Sequence, residues 1–232
     1  LPMLDGVSLK ALWEGELGHP VWVGNDADLA GLGEFYFGAG RVAREEGTPP
    51  KTLVYITVST GIGGGVIDRG RVFLGAKGLA GEIGHMRIDV GDSAPRCQCG
   101  NRGCLESLAS GTAIARIARE RIAQGDSDSA VLARTEAESI TSELVFEAAG
   151  LGDPMALSIL DGVVFALGVG LTNVLHLYNP DLVVLGGGVT MGLNELGLLP
   201  CIEDQVLDGA MSELHKKFRL VASHLGDAVG MV

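Results

Sequence analysis

The chain has 232 residues and is acidic, with 29 Asp and Glu against 17 Lys and Arg and a formal net charge of −12. This charge has the wrong sign for a protein that wraps a phosphate backbone, so nucleic acid is not expected as a partner of this chain. The 47% of hydrophobic residues and the 36 glycines are typical of a globular protein that buries a sizeable core, in one large domain or two small ones.

The sequence predicts no membrane-spanning segment. The longest apolar run, 163–178, is interrupted by Asn173 and His176 and is short for a membrane span. The N-terminal residues also lack the pattern of a signal peptide. We therefore expect a cytoplasmic protein without a membrane partner.

The first forty residues predict two helices and a short strand. A helix is expected over 10–17 and a strand over 19–23, and the strand runs through Asn25 and Asp26 into a second helix that ends near Phe37. The polar pair then lies at a strand-to-helix turn.

The stretch 41–51 is charged and contains prolines, which predicts an exposed loop. A new pattern begins after it, with a β-branched and aromatic run over 52–58 and short apolar runs over 66–67 and 72–74. This pattern predicts a set of antiparallel strands. We place a lobe boundary near Lys51.

Helices and a buried strand are predicted for the rest of the chain. Apolar residues at helical spacing predict a helix over 105–123. Asp153 is a capping acid before a proline, and a long buried helix is expected over 154–177. The apolar run 182–185 predicts a buried strand.

Three of the four cysteines and a histidine lie within one glycine-containing loop. Zinc favours a tetrahedral set of thiolates and imidazole, so His85, Cys97, Cys99 and Cys104 predict a structural zinc site that orders irregular backbone. Cys97 and Cys99 are too close for an easy disulfide. Free core thiols remain the alternative.

Two carboxylates flank this loop. Glu82 lies one helical turn before the histidine, and Glu106 lies two residues after the last cysteine. A metal that orders the loop would hold both carboxylates rigidly. The sequence therefore predicts a ligand site that is braced by a metal.

Two glycine-rich segments, 59–65 and 186–188, are candidates for phosphate binding. Glycines permit positive φ angles, so several N–H groups can point at the oxygens of one phosphate. The first segment has no Walker lysine and leads to a strand, which excludes a P-loop or a Rossmann motif, and a plain tight turn is its alternative. The second precedes a predicted helix N-terminus.

Asn25 and Asp26 fit either a helix cap or a catalytic pair. An acid at the end of a strand, in a chain with phosphate-binding turns and a rigid carboxylate pair, suits a base that takes a proton from a hydroxyl during phosphoryl transfer. Asp26 is the stronger candidate and Asp28 the weaker.

The glycine segment between Val58 and His85, together with the Cys-x-Cys-Gly-x-x-Gly-Cys-x-Glu loop, resembles the signature of the ROK family of bacterial sugar kinases and sugar-responsive repressors. The resemblance covers essentially the whole chain. It implies an α/β fold like that of actin and Hsp70, in which two RNase H-like lobes close on a sugar and ATP.

The resemblance also implies a role for each candidate residue. Asp26 would be the catalytic base. The sugar contacts would be Asn25, Glu82, His85 and Glu106, the nucleotide contacts Thr60, Gly61, Gly63, Gly64, Gly186 and Gly187, and the zinc ligands His85, Cys97, Cys99 and Cys104.

The family's Asp-x-Gly-Gly-Thr phosphate motif is absent from this chain. We therefore expect an incomplete first lobe, with 1–50 as its remnant carrying the catalytic Asp26 and 51–232 as the C-terminal lobe that includes the zinc loop 85–106. Asp28 replaces the family's usual asparagine, and the spacer between His85 and Cys97 is longer than usual.

The resemblance implies phosphorylation of a hexose by ATP with Mg²⁺, in a glucokinase-like homodimer. An N-acetylhexosamine or fructose is the alternative substrate. The alternative function is a sugar-responsive transcriptional repressor, which carries a DNA-binding module ahead of the same pocket. The carboxylates around the zinc loop argue against a purely structural protein.

Overall fold

The computed structural model describes residues 6–126 and 128–231, and over these residues one five-stranded sheet has the order β3-β2-β1-β4-β5. Strands β1, β2 and β3 are antiparallel neighbours, whereas β4 is parallel to β1 and β5 is parallel to β4. The strands are β1 Thr52–Val58, β2 Ile62–Asp68, β3 Arg71–Val72, β4 Leu182–Gly186 and β5 Arg219–Ala222.

Helices cover both faces of this sheet. Side chains of Ser8, Asn25, Ser110, Thr141 and Asp153 cap the first turns of five of them. The helices in the described residues are α1 Leu9–Leu17, α2 Asp26–Tyr36, α3 Ala39–Glu45, α4 Glu106–Ala109, α5 Gly111–Ala123, α6 Ser142–Gly150, α7 Pro154–Tyr178, α8 Gly188–Glu195 and α9 Leu199–Gly209.

Alternate residues of the central strands enter two different cores, because successive side chains of a strand point to opposite faces. Val54 and Ile56 of β1 lie in the larger core, which helices α4–α9 complete. Leu53 and Tyr55 lie in the smaller core with residues of α2 and α3. Since both faces are covered, β4 is apolar throughout and β1 is apolar or aromatic except at Thr52 and Thr57, as expected for strands that are buried on both sides.

Helix α7 is the centre of the larger core. By length and apolar composition it could cross a membrane, but 61% of its most apolar window is buried inside the protein. Buried side chains occur along almost its whole length, from Met155 to Leu175. The sequence prediction of one long buried helix after Asp153 is confirmed.

The predicted strand over 19–23 is wrong. These residues are extended but unpaired within the described part of the chain, and Trp22 is 79% exposed. A strand is defined by hydrogen bonds to a neighbour, and no described strand reaches this segment. The side chains of the Val21-Trp22-Val23 run that predicted it therefore lie mostly on the surface.

The predicted loop over 41–51 is wrong in its first half, because helix α3 extends to Glu45. Helix α2 packs on strands β1 and β2, α3 packs on α2, and residues of both helices share the smaller core with the strands. The segment before Lys51 thus contacts the sheet directly, and the division into lobes at this residue stays a prediction.

The helix predicted over 105–123 is divided in two. Ser110 has extended backbone, and its side chain accepts a hydrogen bond from the Ala113 N–H at 3.2 Å, so it ends α4 and caps α5. The backbone N–H of Gly111 donates to the Ser59 carbonyl at 2.7 Å. The break therefore brings the start of α5 against the turn between β1 and β2.

Candidate active site and metal centre

The N-terminus of helix α2 places the predicted catalytic pair. Asn25 is the N-cap, and its Oδ1 accepts hydrogen bonds from the backbone N–H groups of Ala27 at 2.9 Å and Asp28 at 3.3 Å. Asp26 is exposed in the first helical turn. The cap interpretation is confirmed for Asn25, and the Asp26 carboxylate remains accessible to a ligand.

Glycines of β2 allow this helix to approach the sheet at backbone distance. A Cβ on Gly65 would lie 2.7 Å from the Ala27 carbonyl oxygen and 2.9 Å from the Asp28 Cα, and one on Gly63 would lie 3.3 Å from the Ala27 Cβ. Real Cβ contacts are almost never so short at backbone atoms. The two glycines thus set the position of Asp26 through the packing of α2.

The positive φ angles expected for the glycines of 59–65 are wrong. None of the glycines in 61–65 has a positive φ, because from Ile62 onward they form strand β2. Gly64 allows a close approach of the Gly81 carbonyl, whose oxygen would lie 2.7 Å from an added Cβ. Gly63 and Gly64 act here in packing, and their nucleotide role stays a prediction.

Glu106 connects helix α4 to the turn between β1 and β2. Its Oε2 accepts a hydrogen bond from the Ile62 N–H at 3.0 Å, and a Cβ on Gly61 would lie 2.7 Å from the same oxygen. Its Oε1 lies 3.6 Å from Cys97 Sγ. One carboxylate thus contacts both the glycine turn and the cysteine loop.

Glu34 anchors the other end of helix α2. Its side chain is fully buried, and its oxygens accept hydrogen bonds from Ala39 N–H at 2.7 Å, Ser223 Oγ at 2.6 Å and Leu225 N–H at 2.9 Å. A buried carboxylate is tolerated when hydrogen bonds satisfy it in this way. No local sequence pattern signals this contact, because it joins residues far apart in the chain.

Asp28, unlike Glu34, is a buried carboxylate with an oxygen that no hydrogen bond satisfies in the described part of the chain. It is only 5% exposed, and this oxygen is Oδ1. Burial raises the pKa of Asp28 above its ordinary value of 3.8, and the negative charges of Glu82 and then Asp26 raise it further. The charges of Glu82 and Asp26 thus both act on the Asp28 carboxyl group in the first turn of α2.

The predicted zinc ligands come together in space. One donor atom from each of His85, Cys97, Cys99 and Cys104 lies within 4.8 Å of all the others. His85 Nδ1 is 3.6 Å from Cys97 Sγ, and Cys99 Sγ is 3.6 Å from Cys104 Sγ. A tetrahedron with zinc–sulfur distances of about 2.3 Å has edges of about 3.8 Å, so the donor set fits zinc.

The two buried thiols of this cluster, Cys97 and Cys104, resist ionisation by themselves. Burial raises the pKa of Cys104 to about 12 and raises the pKa of Cys97, whereas the backbone N–H of Asn101 lowers the pKa of exposed Cys99. A bound cation reverses this balance because a coordinating thiol is deprotonated. His85, bound through Nδ1, would keep Nε2 for a second partner, so its two predicted roles are compatible.

Short backbone contacts surround the cluster. Single bridges join Arg87 with Cys104 and Arg96 with Arg102. Gly103 has φ +70°, and a side chain there would collide with the Asp89 carbonyl. Backbone hydrogen bonds also cross the loop, among them Cys97 N–H to the Asn101 carbonyl at 2.8 Å and Gly103 N–H to the Pro95 carbonyl at 2.9 Å. The loop is thus irregular but hydrogen-bonded, and a metal on the four donors would add to this order.

Two adjoining cavities open beside the glycine turn. The first, of about 390 Å³, lies between the start of α5, the start of α6 and the start of α8, and the second, of about 290 Å³, lies between the cysteine loop and α5. Thr60 and Thr112 line both. Sequence reasoning missed Arg119, Ser142 and Phe146 in the first cavity, because no local pattern shows that these helices meet there.

The predicted nucleotide residues divide between these cavities and the packing around them. Thr60 lines both cavities, Gly61 lines the second, and Gly188, rather than the two glycines before it, lines the first. Gly187 has φ +88° and shapes the turn into α8, and a Cβ on Gly186 would collide with Tyr55 Oη. Direct nucleotide contact by Gly186 and Gly187 stays a prediction.

Comparison with known proteins agrees with an α/β fold built on a mixed sheet. The ROK family model matches residues 2–232. The chain is 41% identical over 182 residues to a glucokinase of Halalkalibacterium halodurans, which covers 78% of this chain and 53% of that protein. It is 31% identical over 228 residues to the xylose repressor of Bacillus subtilis, with coverage of 97% and 53%.

Among solved structures, a ROK family glucokinase from Streptomyces griseus, in complex with glucose and AMPPNP, matches with a TM-score of 0.77 and 32% identity, over 96% of this chain and 69% of that chain. The chain belongs to the ROK family. It spans about half the length of the two relatives above. The mixed sheet and this likeness fit the predicted actin- and Hsp70-like sugar kinase fold, and the incomplete first lobe stays a prediction.

Proposed function

We propose that this chain forms the larger part of an ATP-dependent hexose kinase of the glucokinase type. The observation that supports the proposal best is the position of Glu106. Its carboxylate contacts the glycine turn through Ile62 and approaches the cysteine loop at Cys97. A sugar bound against Glu106 would therefore lie next to the cavities that suit a nucleotide.

Asp26 is proposed as the base. Its carboxylate would take the proton of the acceptor hydroxyl while the hydroxyl oxygen forms a bond to the γ-phosphorus of ATP and ADP leaves. Asn25, Glu82, His85 and Glu106 would hold the other hydroxyls. A carboxylate that the bound sugar covers but leaves without a hydroxyl partner incurs a desolvation cost, so these residues would also select for the sugar.

The nucleotide is proposed to bind in the first cavity, with its phosphates directed toward Thr60 and Gly61. Gly63, Gly64, Gly186 and Gly187 would support this site by allowing the close packing around it. ATP would enter as its Mg²⁺ complex, which offsets the charge of the phosphates.

Zinc is proposed as a structural ion on His85, Cys97, Cys99 and Cys104, where the donor set fits it. Its contribution would be to fix the loop that carries His85 and ends at Glu106. A homodimer and a cytoplasmic location remain expectations of the sequence analysis.

The complete protein, assayed for glucose-dependent formation of ADP, tests the role of Asp26. We expect Asp26→Asn to lower kcat at least about 100-fold, the usual scale for loss of a general base. Asp161→Asn is the matched control, because Asp161 is exposed on α7 and lines neither cavity. Wild-type activity in Asp26→Asn would disprove the assignment, and other sugars in the same assay would identify the substrate.

A sugar-responsive repressor is the second candidate, and the match to the xylose repressor over 97% of this chain favours it. The repressor would bind the sugar without ATP turnover. Sugar binding by calorimetry together with no ADP formation, and with sequence-specific DNA binding by the complete protein, would favour the repressor over the kinase.

A further inference from the structure

Several residues that line the second cavity, among them Arg96 and Arg116, are not used by the proposed sugar and nucleotide contacts. Its volume is about 290 Å³, and it lies between the cysteine loop and helix α5. Arg96 and Gln98 of the loop face Arg116 and Ser110 across it, with Glu106 at one side. In a chain with a net charge of −12, a cavity lined by two arginines is an exception to the overall charge.

The two arginines are held in different ways. Arg116 donates from Nη2 to the Ser107 carbonyl at 3.0 Å and from Nη1 to Glu120 at 2.7 Å, so its guanidinium has a defined orientation. Arg96 has no ion pair or side-chain hydrogen bond within residues 6–126 and 128–231, but its backbone is fixed by the bridge to Arg102 and precedes Cys97. The metal loop therefore fixes where Arg96 lies.

The acids near this cavity are already engaged. Glu106 accepts the Ile62 N–H, and Glu120 pairs with Arg116 in an ion pair whose side chains are partly exposed. A partly exposed ion pair of this kind contributes little to stability, so Arg116 can readily leave Glu120 for a stronger anionic partner. Guanidinium groups match the oxygens of a phosphate through paired hydrogen bonds, and a phosphate dianion is such a partner.

We propose that Arg96 and Arg116 form a subsite for a phosphoryl group, in which the cysteine loop contributes a binding side chain as well as a scaffold. Two sources share this chemistry. Thr60 and Thr112 connect the cavity to the first one, so the terminal phosphate of a nucleotide could reach it. Glu106 connects it to the proposed sugar site, so the phosphate of a sugar product could do so. This part of the inference rests on the proposed function.

The first experiment measures binding of inorganic tripolyphosphate to the complete protein by calorimetry. We expect Arg96→Gln and Arg116→Gln each to weaken binding about tenfold or more, the scale of a lost charge-assisted pair. Arg71→Gln, on exposed strand β3, is the control for charge alone. Arg96→Lys, which keeps the charge but loses the paired donors, should weaken binding less than Arg96→Gln.

Glu120→Gln separates binding from structure. It removes the ion pair of Arg116 but keeps the guanidinium, so tripolyphosphate affinity should be unchanged or higher. If Glu120→Gln weakens binding as much as Arg116→Gln does, Arg116 acts through its ion pair and the proposal is wrong. Unchanged affinity in both arginine variants, or no binding by the wild type, would also overturn it.

AMPPNP and glucose 6-phosphate distinguish the two sources. If the arginine variants lose affinity for AMPPNP relative to AMP, the subsite holds the donor phosphate. If they lose affinity for glucose 6-phosphate relative to glucose, it holds the product phosphate. The wild-type protein could bind tripolyphosphate, and the arginine variants could lose this binding, while the wild type shows no kinase activity. This result would support the subsite and refute the proposed function, so the two failures are distinguishable.

Discussion

Two regions position the candidate site, and they obtain their order from different sources. At the first, helix α2 meets strand β2 with backbone against backbone, because Gly63 and Gly65 leave no side chain between them. At the second, the described loop 86–105 contains no helix or strand, its backbone hydrogen bonds join scattered residues such as Cys97 and Asn101, and four donor atoms cluster around one point.

Regular elements and irregular loops are therefore vulnerable to different changes. The α2 contact depends on volume, so an added methyl group disturbs it. The loop depends on ligand chemistry, so a changed donor atom disturbs it even when the volume is conserved. The following variants test this contrast.

Cys104→Ser should have the largest effect. Serine has nearly the same size but is a poor zinc ligand, so we expect bound zinc to fall from about one per chain to near zero. Sugar affinity should fall with it, by about tenfold or more, because the loop ends at Glu106. Elemental analysis and calorimetry on the same sample measure the two quantities.

Cys201→Ser is the control for this variant, since Cys201 is exposed on α9 and lies outside the cluster. It should change neither quantity. Wild-type sugar affinity in a zinc-free Cys104→Ser protein would show that the metal does not brace the site. The different source of order in the loop would then have no effect on sugar binding.

Gly65→Ala should lower the free energy of unfolding by about 1–3 kcal/mol, because its Cβ would overlap the Ala27 carbonyl and force α2 outward. Bound zinc should not change. Gly162→Ala is the matched control: nothing lies within 4 Å of the added atom, and alanine favours a helix. Denaturant titration measures both, and equal stability of the two variants would contradict close backbone packing as the cause.

Asp28→Asn should have the smallest effect, a gain of about 1 kcal/mol in the free energy of unfolding at neutral pH. The folded protein holds the proton of Asp28 more tightly than the unfolded chain does, so the wild type loses stability as pH rises above the ordinary pKa of 3.8. The gain should be full above the raised pKa and disappear at lower pH. A gain that persists below pH 3.8 would point to a cause other than ionisation, and Asp161→Asn provides the exposed reference.

The sequence predicted those parts of the fold that local patterns determine. Strand β1 has the predicted bounds, and helix α7 follows its capping acid as expected, because burial on both faces and a strong cap leave a clear local signal. The cluster of four possible metal donors was predicted for the same reason, since His85 and the three cysteines are close in sequence. Helix α3 and the break at Ser110 were missed because contacts with distant residues decide them.

Long-range packing also explains the errors at the candidate site. From the glycines of β2 we expected positive φ angles, and none of them has one. Their role in the fold is to leave room for the close packing of α2, which no local pattern reveals. The cavity residues Arg119 and Phe146 lie on helices that are separate in sequence. Only the assembled sheet brings them to the turn at Thr60.

The hydrogen bonds that Glu34 accepts from the C-terminal part of the chain have a consequence for biosynthesis. The donors, Ser223 and Leu225, follow Glu34 by 189 and 191 residues, so helix α2 leaves the ribosome long before they do. Strand β1 likewise waits for its parallel neighbour β4. Nascent chains therefore lack these two hydrogen bonds of Glu34 until residue 225 has been translated, and the unpaired edge of β1 exposes them to aggregation during that interval.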